Sequence, residues 1–206
     1  MAARRSAIMS SAREVLGEKN VADISLRELS DRVGLAKSNV AFALLHRDGE
    51  SRKYGLELLR QIRDIAMRQR YSRTAIPMID VFVAQDRALR GDLDGAIELS
   101  RAVVKEEIDE GGVIFVPIAT NALVEALLKR GTDGDIQEAQ SAVDRLRTVE
   151  IEPGIVLYDI WTLKLRTLIA QAKGDDATYR QLRDRYRKMA GDLGFEGHMA
   201  WAEAMD

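Results

Sequence analysis

The chain contains no cysteine and only three prolines among its 206 residues. No disulfide can form within it, so its stability has to come from packing, and the composition suits a reducing compartment. Aromatic residues make up 5% and there are two histidines, His46 and His198. Neither a His-x-x-x-His nor a Glu-x-x-His pair is present, so no helical metal-ligand spacing exists, and no Gly-x-x-x-x-Gly-Lys-Ser/Thr phosphate loop occurs. No thiol and no nucleophile motif accompanies either histidine, so the expectation is a non-enzyme without cofactor or metal. No window approaches the roughly 20 apolar residues of a membrane span. Met1-Ala2-Ala3-Arg4-Arg5 leads into no apolar run either, so no secretory signal and no membrane partner are expected, and the expected location is cytoplasmic.

What is present favours helices. The chain is 46% hydrophobic and 31% charged, with long stretches of Ala, Leu, Arg, Glu and Asp, which are mostly good helix formers. The length allows one or two domains. The net charge is −2, but residues 1–47 hold eight basic and five acidic residues, a surplus of +3 that leaves −5 for the rest. If either part meets nucleic acid it is the first, because phosphate contacts need local cations.

Within that first part, Ser25 is placed to cap a helix, with Glu28 three residues on to close a capping box. Leu26, Leu29 and Val33 fall on one face of that helix, and Gly34 permits the tight reversal after it. A second short helix then starts with Lys37, Ser38 and Asn39, side chains of the types that reach phosphates and base edges from a recognition helix. Upstream, Ile8, Ala12, Val15 and Leu16 recur at helical spacing, so three short helices with a shared core are expected. The order and spacing of Arg5, Ile8, Ser25-Leu26-Arg27-Glu28-Leu29, Arg32-Val33-Gly34-Leu35 and Lys37-Ser38-Asn39-Val40 resemble the DNA-binding head of the TetR family of bacterial regulators. The resemblance implies that the Arg27 helix supports the duplex backbone while Ala36–Ala41 enter the major groove, with Arg5, Arg27, Lys37, Ser38 and Asn39 as DNA-contacting residues. The family usually places a phosphate-contacting aromatic after this motif, where this chain has Ala41.

From about Glu50 the pattern changes to helix pairs separated by glycine turns: Arg90-Gly91-Asp92, Gly131-Thr132-Asp133-Gly134 and Lys173-Gly174-Asp175. Gly91 to Gly134 is 43 residues and Gly134 to Gly174 is 40. Each turn is followed five positions later by a small or aromatic residue, Ala96, Ala139 or Tyr179, as stacked helical hairpins require. Tyr158, Trp161, Leu165 and Leu168 read as a core stripe, Gly111-Gly112 and Pro117 as loop punctuation, and Pro153-Gly154 as a turn. Glu106, Glu107, Asp109 and Glu110 read as a solvated helix end. His198 is expected beside Trp201, capping the last repeat.

The array resembles tetratricopeptide repeats. Gly91-Asp92-Leu93-Asp94-Gly95-Ala96-Ile97 and the closing stretch Leu193–Met205 are similar to the carboxy-terminal tail of large actinobacterial regulators that join an adenylate cyclase domain, an AAA-type ATPase and a tetratricopeptide-like region. The expected fold is therefore all-α: a helix-turn-helix head over residues 1–47, then an array of antiparallel helix pairs over 48–206. The resemblance implies a transcriptional regulator with duplex DNA on the head and a protein partner or self-association on the array; it leaves open whether a small-molecule effector exists. The alternative is a non-catalytic interaction scaffold, derived from the tail of a cyclase/ATPase-type regulator and carrying a vestigial head.

Overall fold

The computed structural model describes residues 49–69, 75–151 and 155–205, and every regular element among them is an α helix. The segment 1–47 lies outside the described residues together with Arg5, Arg27, Lys37, Ser38 and Asn39, and so do the 47/48 boundary and the Pro153-Gly154 turn. The chain divides into two compact units, residues 1–82 and 83–206.

In the first unit, α1 (Gly49–Gln69) and the opening of α2 (Ala75–Leu89) are described. Leu58, Leu59 and Ala66 of α1 are buried, as are Ile76, Ile79 and Val81 of α2. The two segments are joined by Arg63, which donates through Nε and Nη2 to the two carboxylate oxygens of Asp80 at 2.9 and 3.1 Å. That two-pronged geometry matches a guanidinium to a carboxylate.

The second unit continues α2 and adds α3 (Leu93–Asp109), α4 (Val116–Arg130), α5 (Asp135–Leu146), α6 (Val156–Ala172), α7 (Asp176–Leu193) and α8 (Glu196–Glu203). Helix α4 packs on α3, α5 and α6, α6 packs also on α5 and α7, and α7 packs on α8. From α3 onward each helix thus packs on neighbours close in sequence. Ala96, Val103, Ala139, Ala142, Leu146, Tyr158, Trp161, Leu165, Leu182 and Tyr186 are all buried, on the faces that their helical spacing marks as inward.

Two of the turns use one device. At Gly91 (φ 90°) and Gly174 (φ 69°) the chain takes the left-handed conformation that only glycine enters without strain. The next residue then closes the previous helix: Asp92 N donates to Arg87 O and Asp175 N to Ala170 O, each at 3.0 Å. The same aspartates open the following helix, accepting from Gly95 N at 3.0 Å and Thr178 N at 3.1 Å. One residue therefore satisfies an orphan carbonyl of one helix and an orphan N–H of the next. With so short a link, α7 folds back onto α6.

Two sequence expectations are corrected. Pro117 is not loop punctuation: it stands in the first turn of α4 and is buried, where a missing N–H costs nothing and a fixed φ suits the helix. Glu107 is not on a solvated face: it is only 8% exposed, near the last turn of α3. Gly112 donates its N–H to Glu107 O at 2.7 Å, and a Cβ added to Gly112 would come within 2.4 Å of Glu107 Oε2. The bare glycine is what lets the carboxylate fold inward. Burial, reinforced by the charges of Glu106 and Glu110, raises the pKa of Glu107.

Candidate functional site

Two places in the second unit combine charge with apolar surface. The first is built on Lys164 of α6, a lysine set in the stripe Tyr158, Trp161, Leu165 that is otherwise apolar. The stripe faces inward, so the ammonium goes with it and is 3% exposed. Its three protons have three directions of relief. Nζ donates to Asn121 Oδ1 at 2.8 Å and Glu125 Oε1 at 2.7 Å, one turn apart on α4. It also stands 4.1 Å from the centre of the Trp201 ring on α8 and 5.1 Å from that of Trp161, within range of the attraction between a cation and an aromatic face. Burial lowers the Lys164 pKa and the Glu125 carboxylate opposes the shift.

His198 of α8 completes the cluster. Its Nδ1 shares a hydrogen bond with the Tyr186 hydroxyl at 2.8 Å. Its ring meets Trp161 and Trp201 edge-on, with centroids 4.7 and 5.0 Å apart, so it lies beside Trp201 as its position in the last helix suggests. Burial, and then the nearby Lys164 charge, lower the His198 pKa to about 4, which leaves the imidazole neutral at pH 7. Burial raises the Tyr186 pKa as well. The cluster thus holds one cation, Lys164, against one carboxylate, Glu125. With all its donor directions used, the ammonium fastens α8 to α4 and α6 and is not presented as a nucleophile.

The second place is a groove between α3 and α5, with a volume of about 540 Å³. Its floor is Val104, Leu123 and Ala142, and a bridge crosses it where Arg101 donates to both oxygens of Glu138 at 2.6 and 2.7 Å. Lys105 pairs with Asp109 along α3 at 2.7 Å. Arg145 lies opposite on α5 and is exposed. A further hollow of about 280 Å³, lined by Val113 and Val149, shares Ile108 and Arg145 with the groove and extends it.

Above the groove, Arg130 at the end of α4 joins three helices. It donates to both oxygens of Asp135 on α5, at 3.1 and 2.6 Å, and to Asp94 on α3 at 2.7 Å. Thr132 adds its N–H and hydroxyl to Asp135 at 2.8 and 2.9 Å. Arg130 and these donors hold the Asp135 carboxyl far below the usual range.

No described residue brings the expected DNA-contacting side chains together, because all five fall in the segment outside the described residues. Among the described residues, no group of three or more His, Asp or Glu is placed to hold a metal ion, and no helix is long and apolar enough to cross a membrane. The Lys164 cluster was missed by sequence reasoning. Its one signal is spacing: Asn121 and Lys164 are 43 residues apart, the interval that separates the first two glycine turns. No protein-family model matches this chain, and neither a curated protein nor a solved structure was found similar to it.

Proposed function

We propose that the chain is a non-catalytic, DNA-binding transcriptional regulator, with a TetR-like head in residues 1–47 and a tetratricopeptide-like helical array that holds a protein partner or a second copy. The observation that carries the array's role is its construction. From α3 to α8 each helix packs on the next one in the chain, and α4 also packs on α6; the groove left between α3 and α5 has an apolar floor and a charged rim. Such stacks present surface for partners. The head's role is supported by the Ser25–Val40 pattern and by the surplus of three positive charges in residues 1–47.

Titration of the full chain with random duplex DNA at several salt concentrations tests this reading. Wild type is expected to bind with a salt-dependent affinity, and Lys37→Ala and Arg27→Ala each to weaken it and to reduce the salt slope by about one unit. Equal and negligible binding by all three proteins at low salt would reject the regulator and leave the scaffold reading. That second reading is favoured by one observation: the groove is complete within residues 101–145 and needs no residue of the head.

A further inference from the structure

We propose that the groove between α3 and α5 docks an acidic and apolar peptide segment of another protein, with Arg145 taking a carboxylate and the Leu123 floor taking a large apolar side chain. The proposal rests on the reading of the helical array as a partner-binding unit and names the chemistry of that partner.

Three observations carry it. The first is shape. Arg101 of α3 pairs with Glu138 of α5, and Ile108 and Arg145 line both hollows, so seven residues along each helix stay in step and the two helices run in the same direction. Seven residues of helix span about 10 Å, the length of two turns of a docked helix or of three extended residues. The second is the floor. Val104 and Leu123 are each 4% exposed and Ala142 is 8% exposed, so apolar atoms close the base of the groove, and a Leu or Phe side chain seated on it takes its own apolar area out of water.

The third observation is charge. Of the three cations at the rim, Arg101 is engaged by Glu138 and Lys105 by Asp109. Glu150 lines the further hollow together with Arg145, but the Arg145 guanidinium makes no ion pair with it or with any other described residue, while its backbone carbonyl is fixed by the Thr148 hydroxyl at 2.8 Å. It lies about one helical turn beyond Ala142, so a peptide that seats an apolar side chain over the floor brings a residue one turn along it to the guanidinium. A basic residue there would be repelled; a carboxylate would be taken in a two-pronged pair. A nucleic acid backbone is disfavoured because it rewards a run of unpaired cations, and here two of three are neutralised.

A phage library of random 12-residue peptides, selected on the immobilised full chain, provides the test. Two comparison proteins are used, Arg145→Glu and Ser141→Trp, the latter filling the groove from an exposed position on α5; circular dichroism and melting verify that both fold. The enriched peptides are expected to carry Asp or Glu within four residues of Leu, Ile, Phe or Trp, and to bind each variant at least tenfold more weakly than wild type. Enrichment of basic peptides, equal binding to wild type and both variants, or no enrichment at all would overturn the proposal. So would sedimentation showing a dimer that Ser141→Trp converts to monomer, since the groove would then belong to a second copy. A chain that binds duplex DNA but enriches nothing loses this proposal and keeps the regulator reading, and enrichment without DNA binding does the opposite.

Discussion

Lys164 is the one buried cation among the described residues, and its energetics are set by which of its partners reach water. The Glu125 side chain is 45% exposed and hydrates easily when the lysine is gone, whereas Asn121 is 2% exposed and would lose its donor. Lys164→Met keeps the stem packed beneath the indoles and removes the desolvation cost, so its loss is expected to be about 1 kcal/mol. Lys164→Ala also opens a cavity and should cost about 3 kcal/mol. Urea denaturation of the two variants gives the comparison, and equal losses would mean that the charge and not the stem holds α8. Neighbouring His198 makes stability depend on pH. Its folded pKa of about 4 lies below the ordinary 6.5, so between these values the unfolded chain binds the proton that the folded chain refuses. Its contribution is complete above pH 6.5 and is lost as pH falls toward 4. From pH 7 to pH 5 the loss should be about 1–2 kcal/mol. The drop in melting temperature over that range should be visibly smaller in His198→Asn.

At the scale of elements, the Gly-Asp turn makes separate predictions for its two halves. A Cβ on Gly174 meets nothing within 4 Å, so Gly174→Ala is charged only for its φ of 69°, about 1 kcal/mol. Asp175→Ala leaves Thr178 N without its acceptor and should lower the melting temperature by fraying the start of α7. The Arg130 junction is less forgiving. Asp135 is 2% exposed and Asp94 is exposed, so Arg130→Ala strands a buried carboxylate, while Asp94→Ala breaks only a rim contact. Thermal melts should rank Arg130→Ala well below Asp94→Ala, and a reversed order would place the strength of the junction at α3. The glycine half of the turns was legible in the sequence because it is a local signal; that the aspartate after it caps the next helix is seen in the structure. Pro117 was not legible, because proline serves equally as a loop breaker and as a first-turn helix residue, and the residues around it decide which.

For the whole molecule, the main helix contacts of α3 to α8 join elements at most two places apart in the chain order. A fragment of residues 75–206, which keeps α2 entire, should therefore show a helical circular dichroism spectrum and a cooperative melt, with its core at Ile160, Trp161, Tyr186, Ala190 and Ala202 intact. A disordered fragment would mean that residues before 75 complete that core.

Among the described residues, the sequence by itself determined the helical class, the short glycine turns, and the inward faces at Ala96, Ala139, Trp161 and Leu165. These depend on groups within about five residues of each other and on a 3.6-residue period. Only the tertiary structure decided that Lys164 meets Asn121, Glu125 and Trp201, that Glu107 turns inward against Gly112, and that Arg101 and Glu138 bridge a groove floored by Leu123. Apart from the short loop that turns Glu107 inward, these contacts join residues tens of positions apart. A lysine in an apolar stripe and a charged residue at a helix end have no preferred partner until neighbouring helices dock, and the docking distance then selects which buried charges are matched and which cation is left facing the groove.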